Sequence, residues 1–442
     1  MKPVIQTIPT TRISGWGGYP TEEARILRPL SQSACKAHLN DMLPLIPRGM
    51  GRSYGDSASA ASVMQTTYLD HFIAFDKTTG LLTVEAGLTL RDILKVTVKQ
   101  GWFLPVTPGT SFVTVGGAIA SDVHGKNHHV SGTFGQHVLA MTLLLGSGEI
   151  VTTSATELPD LFHATCGGMG LTGLILAATL QLIPVKSAFM TQKTLKAGTL
   201  EAVCEQFEDN SGSTYSVAWI DCLATGKSLG RSVLMAGEHA DTGGFDLTIK
   251  DPIMVPFHTP ATMLNSLTMR VFNNAYYLKA AHNKVQRVQL LPYFYPLDTI
   301  GGWNKLYGKA GFMQYQFVLP KAGGVANMRT ILARIAQSGA GSFLAVLKQF
   351  GPANRNLLSF PIEGYTLALD FKMSPSTIEL LHSLDDMVVS MGGRVYLTKD
   401  AVMKALTFKT TYPRWQEFEA VREKYGAIGK FASNQSRRLG LA

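Results

Sequence analysis

No two of the four cysteines, Cys35, Cys166, Cys204 and Cys222, form a CxxC pair or take up metal-ligand spacing. That absence excludes a disulfide framework and points to a reducing compartment. No stretch approaches the ~20 apolar residues of a membrane span, and the N-terminal MKPVIQTIPTTRISGW lacks a signal-peptide core. A cytoplasmic protein is expected, with peripheral contact at the inner membrane surface left open. Charge is sparse as well: 16% of residues are charged against 45% hydrophobic, which is the balance of an ordered globular chain. The basic excess of +9 is scattered, with no arginine-rich arm and no basic helix, so nucleic acid is not an expected partner. A diffuse positive field suits an anionic small substrate or an anionic lipid surface.

Glycine is what the chain has in quantity, 43 in all, gathered at 15–18, 49–55, 109–117, 125–135 and 167–173 without any repeat. Clusters of this kind bring backbone close to something large, of which a cofactor is the obvious example. The 442 residues allow two or three domains. The first ~185 residues alternate short apolar runs with turn residues, an α+β pattern. Residues 79–102 predict a strand followed by a helix starting near Thr89. Residues 138–154 predict a hairpin turning at Gly146-Ser147-Gly148, 157–168 a short helix, and 171–185 a buried strand. A second region, about 189–393, carries strands at 213–223, 312–320 and 364–373. Helices at 324–339 and 374–393 interleave with them, which suggests a sheet covered on one face. The segment from 394 is too short to be a domain alone and is expected to pack back onto one of the first two.

Gly168-Met169-Gly170-Leu171-Thr172-Gly173 fits GxGxxG, yet a dinucleotide fingerprint needs a strand before it, a helix after it and an acidic residue about 20 positions on. Here the order is reversed and TQKTLKAG (191–198) has no carboxylate, so a tight helix-to-strand turn is the better account. Pro47-Arg48-Gly49-Met50-Gly51-Arg52-Ser53-Tyr54-Gly55-Asp56 is a stronger signal. Its alternating glycines let N–H groups converge on an anion, with Arg52 adding charge and Ser53 a hydroxyl, which suits a pyrophosphate; an ordinary glycine-rich turn is the competing account. In the second cluster, Pro108-Gly109-Thr110 and then Thr114 through His129, the small residues at 116–121 would let a flat ring or a diphosphate lie against backbone. His124 and His128 are four apart, a chelating spacing only on a helix, and Gly125 argues against one. A polar loop at the reactive end of a cofactor is expected there, with no metal.

RGMGRSYGD, PGTSFVTVGGAIASDVHGKNHH, FGQHV, LFHATCGGMGLTG and the tail KFASNQSRRLGL together resemble the vanillyl-alcohol-oxidase superfamily of FAD enzymes, with a PCMH-type FAD-binding domain. Within it they are similar to the branch that oxidises the 2-hydroxyl of a polyprenylphosphoryl ribose in making an arabinose donor for cell-wall arabinan. The resemblance implies an α+β, two-domain fold. Residues 1–188 and the tail 394–442 would build the FAD domain, and 189–393 an inserted antiparallel-sheet substrate domain. It implies FAD contacts from Trp16, Gly49, Met50, Gly51, Arg52, Ser53, Tyr54, Gly109, Thr110, Gly116, Gly117, Ser121, His124 and Tyr396. Lys126, Gln314, Gln316, Lys348 and Phe350 would meet the substrate, and Lys399, His124 and Tyr54 would serve the chemistry. Arg52 stands where many members carry the histidine that links FAD covalently, so a non-covalent cofactor is expected. Ala368 and Thr366 stand where the branch has a cysteine and an asparagine, which puts the exact sugar in doubt.

Alcohol oxidation by a flavin leaves negative charge near the flavin ring, which a nearby cation stabilises. Lys399 is the candidate, either as proton acceptor if burial lowers its pKa or as an electrostatic partner; a surface lysine is the plain alternative. Lys348 would meet a phosphate. The expected partners are a lipid-linked sugar phosphate and an NAD-dependent reductase that completes the epimerisation. Two other functions stay open on the sequence: an FAD enzyme acting on a soluble alditol or aldonolactone, and a non-catalytic nucleotide- or lipid-binding protein. Residues 251–280, rich in Met, Phe and Tyr, read either as a core helix or as a cover for a prenyl tail or membrane surface.

Overall fold

The computed structural model describes residues 9–249, 251–260, 265–342 and 344–441. Residues 1–8 of the expected first FAD segment and 261–264 of the apolar stretch lie outside the described residues. The N-terminal part holds two sheets. One runs Thr10–Ser14, Thr21–Leu27, Ser62–Gln65, Ile46–Arg48, with its last two pairings parallel. The other is antiparallel and runs Phe72–Asp76, Leu81–Glu85, Leu174–Gln181, Val138–Leu144, Ile150–Ser154. The expected hairpin is present: Leu145 N–H bonds the Glu149 carbonyl across a turn in which Gly148 takes φ 85°. The helix after Thr89 is Leu90–Thr97, with the Thr89 hydroxyl capping the Asp92 N–H, and it buries Leu90, Ile93, Leu94 and Thr97. Those positions recur at the 3.6-residue period, so one apolar stripe meets the core and the polar residues face out.

The GxGxxG stretch sits between the helix Pro159–Thr165 and the strand Leu174–Gln181, the reverse of a dinucleotide fingerprint. Gly168 is needed because a Cβ there would lie 2.1 Å from the Ala164 carbonyl oxygen.

The eight-stranded sheet is antiparallel throughout. Its order is Lys284–Gln289, Phe189–Ala197, Ser232–His239, Tyr215–Ile220, Ala345–Phe350, Gly364–Lys372, Phe312–Pro320, Arg394–Val395. Side chains alternate between its faces. On one face Met313, Tyr315, Phe317 and Leu319, with Leu367 and Leu369 beside them, pack against the helices Leu200–Asp209, Gly324–Ser338 and Pro375–Ser390. Removing a ring such as Phe317, which is fully buried, would cost about 3–5 kcal/mol. The even-numbered residues of the same strands point the other way, and that second face builds the site.

Three expectations are corrected here. The sheet closes on Arg394–Val395 rather than ending at 393, so the start of the tail is a strand of the inserted region. The tail then touches both regions rather than one. Leu45 N–H bonds the Lys430 carbonyl at 2.9 Å, and Ala432 N–H bonds the Leu45 carbonyl at 3.0 Å. Arg438 pairs with Asp56 at 2.7 Å and with Asp400 at 2.9 Å. The core-helix reading of 251–280 also fails. Ser266–Lys279 is a helix, but only Met269 and Asn273 on it are buried, and Leu267, Val271 and Leu278 stand in solvent. No helix among the described residues is long and apolar enough to cross a membrane.

Candidate functional site

A cavity of about 800 Å³ lies between the glycine segments and the open face of the large sheet. Its wall takes in Trp16, the run from Gly49 to Tyr54, Gly109, Thr110, Gly116, Gly117, Ser121, His124, Lys126, Gln314, Gln316, Lys348, Tyr396 and Lys399. Of the residues assigned to the cofactor, the substrate or the chemistry, Phe350 alone is not part of that wall. It lies behind His124 and His128, with ring centroids 4.7 Å and 4.5 Å away, and braces them. Lys348 and Phe350 share a face of the strand, but the sheet end at Phe350 is already covered by the histidine loop.

At one end of the cavity the chain offers donors without acceptors. Among the described residues no backbone N–H from Gly49 to Ser53 has a protein partner, and the buried Arg52 Nε and Ser53 Oγ have none either. Arg52 is held in place by stacking on Trp16, 3.9 Å from the ring centroid. Beneath the loop, Arg48 bonds the carbonyls of Ser14 and Ala58 at 2.7 and 2.8 Å, which ties the loop to the sheet. Unmet donors of this kind around a space fit an anion such as a diphosphate. Gly116 and Gly117 act differently, because their N–H groups are taken by the Ala86 carbonyl and the Thr114 hydroxyl. An added Cβ would crowd Ala86 at Gly116 and the Thr114 hydroxyl at Gly117, both at 3.1 Å, whereas Gly109 opens on space with nothing within 4 Å. These features fit FAD.

The other end is rich in buried charge. Lys399, on the turn after Arg394–Val395, lies 3.9 Å from the centroid of the Tyr54 ring. Burial pushes its pKa down to about 7, with Asp370 pulling upward and Lys348 pushing down. Asp370 accepts from Gln314 Nε2 at 2.6 Å and from the Tyr307 hydroxyl at 3.1 Å, and burial raises it to about 7. Lys348, also buried, is lowered to about 8. Lys126 is lowered to about 7 by burial and then by Lys348, while its ammonium bonds the Tyr293 carbonyl. Burial raises the Tyr54 hydroxyl well above its ordinary value, so it stays protonated.

His124 is fully enclosed, and burial, then Lys348, His128 and Lys399, hold its pKa far below the ordinary value. It is neutral at physiological pH. The Gln316 amide donates to its Nε2 at 2.9 Å, so the proton sits on Nδ1, which has no partner among the described residues. His128 accepts from the Gly351 N–H at 3.1 Å. The tail reaches the same place: the Tyr396 hydroxyl bonds the Ser121 carbonyl at 2.9 Å, and Tyr54 N–H bonds the Thr398 carbonyl at 3.0 Å.

Sequence reasoning passed over Asp370, Thr366 as a hydrogen-bonding partner, and Asp298. Asp370 shares the face of Thr366 and Ala368 by simple alternation, so GYTLALDF held the signal once Ala368 was placed at the pocket. Thr366 accepts from Gln316 at 3.2 Å. Asp298 accepts from the Thr110 hydroxyl and from Ser111 N–H and Oγ at 2.6–2.7 Å, which pins the second glycine cluster to the inserted region; nothing local marks it.

Residues 31–154 match the family model of the FAD binding domain. The chain is 38% identical to decaprenylphosphoryl-β-D-ribose oxidase of Mycolicibacterium smegmatis, over 98% of each chain. It is 22% identical to L-gulono-1,4-lactone dehydrogenase of Mycobacterium tuberculosis, over 96% of this chain and 98% of the relative. A shorter match, 32% identical over 28% of this chain and 24% of the relative, is to D-arabinono-1,4-lactone oxidase of Yarrowia lipolytica.

Proposed function

The chain belongs to the decaprenylphosphoryl-β-D-ribose oxidase family of FAD-dependent oxidoreductases, within the vanillyl-alcohol-oxidase superfamily, and from that premise we propose that it oxidises the 2-hydroxyl of a polyprenylphosphoryl ribose to a ketone. The observation that carries the substrate reading is the charge of the cavity. Lys399, Lys348 and Lys126 are buried around it. The carboxylates on hand are Asp370 and Asp298, and Asp298 is already committed to Thr110 and Ser111. Such a site favours an anionic ligand, and a sugar phosphate supplies the anion.

The N-terminal glycine segments and the tail would hold FAD, with the unmet N–H groups of Gly49 to Ser53 and the Arg52 guanidinium on its diphosphate, and residues 189–393 would supply most of the substrate contacts. Arg52 offers no nucleophile, so the cofactor is held without a covalent link. When bound, FAD supplies the acceptor for the hydride that leaves the alcohol carbon. Neutral Lys399, available because its pKa is about 7, takes the hydroxyl proton. Once protonated it is a buried cation opposing the negative charge that oxidation delivers to the site. Asp370 biases that lysine toward the charged form, and Gln314 and Tyr307 hold Asp370 in place. Tyr54 and the Nδ1–H of His124 are donors that orient the sugar hydroxyls. Lys348 and Lys126 receive the phosphate. An NAD-dependent reductase would then use the ketone.

A soluble aldonolactone is the competing substrate, given the lactone-oxidising relatives. It carries no phosphate and would leave Lys348 and Lys126 unmatched. The experiment is anaerobic mixing of the purified yellow protein with a prenylphosphoryl ribose, with ribose 5-phosphate and with an aldonolactone. Bleaching of the flavin by the first and not the last is the expected result. Bleaching by the lactone alone would overturn the reading.

A further inference from the structure

The helix Ser266–Lys279 inverts the usual rule for a surface helix. Leu267, Val271 and Leu278, at i, i+4 and i+11, form one stripe, and they are 69%, 63% and 65% exposed. An ordinary surface helix turns such a stripe to the core and shows its polar side to water. The short parallel pairing of Ile253–Met254 with Ile300–Gly301 also exposes Ile253 (81%), and Phe257 follows at 67%. Met254, Ile300 and Tyr276 are exposed and also line the cavity, so this apolar surface surrounds the cavity's mouth. Exposed apolar surface of this extent around a cavity marks an interaction site.

Charge says what it meets. From Pro252 to Leu297 the sequence has no Asp or Glu, while Arg270, Lys279, Lys284 and Arg287 are all present. All four are exposed. Asp251 and Asp298 border the stretch, Asp298 being held by Thr110 and Ser111; between them, exposed apolar side chains accompanied only by cations match a bilayer whose headgroups are negative and whose interior is hydrocarbon. A second copy of this chain would bring the same cations against these and is disfavoured on that ground.

We propose that the surface formed by Ser266–Lys279 and the Ile253–Phe257 segment docks on an anionic lipid bilayer, apolar stripe inward, and turns the mouth of the cavity toward the lipid. The proposal deepens the polyprenyl reading above, since a substrate with a prenyl tail resides in a bilayer. Docking is nevertheless measured without any substrate, so the two can fail separately.

The test is flotation of the FAD-loaded protein with phosphatidylcholine vesicles that contain or lack phosphatidylglycerol. The wild type should float with the anionic vesicles, float less with the neutral ones, and lose the difference at high salt. The triple variant Leu267→Asp, Val271→Asp, Leu278→Asp changes exposed residues that do not line the cavity. It should keep its flavin and thermal midpoint, yet partition more weakly by about 1000-fold or more, since each of the three buried Leu or Val side chains is worth roughly tenfold or more. Lys279→Glu with Lys284→Glu should weaken binding to anionic vesicles and leave binding to neutral ones unchanged. Wild-type protein that stays at the bottom with anionic vesicles overturns the proposal, and so does a triple variant that floats as well as wild type. A dimer in light scattering that the triple variant dissolves would assign the face to a second copy instead.

Discussion

Replacing Lys399 tests the chemistry most directly. An ordinary lysine titrates near 10.5, whereas burial brings this one to about 7. At pH 7 about half of the molecules then hold the neutral amine, compared with roughly one in three thousand for an unperturbed lysine. That gain of about a thousandfold in usable base is what the buried position adds. Removing a positioned general base typically slows the step by about 10²–10⁴-fold. Lys399→Ala should therefore fold and keep FAD, yet bleach its flavin about 10²–10⁴-fold more slowly at saturating substrate in anaerobic stopped flow. Lys399→Arg should be nearly as slow, because arginine does not deprotonate. The pH profile supplies the sign. The neutral form is the active one, so flavin reduction should rise with pH through about 7 and level off above it. Lys399→Ala should flatten that limb. Bleaching of Lys399→Ala at the wild-type rate, or a wild-type rate that falls as pH rises through 7, would refute the assignment and move attention to His124 and Tyr54.

The neighbours of Lys399 should shift the same profile in opposite senses. Asp370 raises the lysine's pKa and Lys348 lowers it, so Asp370→Asn should move the rising limb to lower pH and Lys348→Met to higher pH, read from anaerobic reduction rates. Acid precipitation should release the yellow colour into the supernatant; flavin left in the pellet would mean a covalent link. Arg438→Ala strips the partner from Asp56 and Asp400, whose side chains are 5% and 3% exposed. Breaking such buried pairs costs about 3–5 kcal/mol, which should appear as a large fall in thermal midpoint and loss of FAD, because the pair joins the loop at 55–56 to the tail. Gly55→Ala should act at the same join, since its Cβ would sit 1.9 Å from the Asp400 carbonyl oxygen; a variant with wild-type stability and flavin content would show that the join is slack.

Much of this was legible in the linear chain. The turn at Gly146-Ser147-Gly148, the cap at Thr89 and the reversed order around Gly168 are set by φ/ψ preferences and side chains a few residues apart, so local reading reached them. The cavity wall was legible for a related reason: short glycine-rich segments serve a cofactor through their own backbone, and a motif of ten residues already contains the donors. The tertiary structure decided what depends on residues far apart in sequence. Lys399 is followed directly by Asp400, yet Asp400 pairs with Arg438, and the carboxylate that acts on Lys399 is Asp370 on a strand of the large sheet. Its lowered pKa comes from burial by elements scattered along the chain, and no local pattern encodes that. Phe350 was assigned to the pocket through the family resemblance, but whether a sheet face is open or already covered depends on what packs there. The same limit governs Ser266–Lys279. Apolar residues at helical spacing specify a helix with one greasy side, and only the packed fold shows whether that side meets the core or is left facing out.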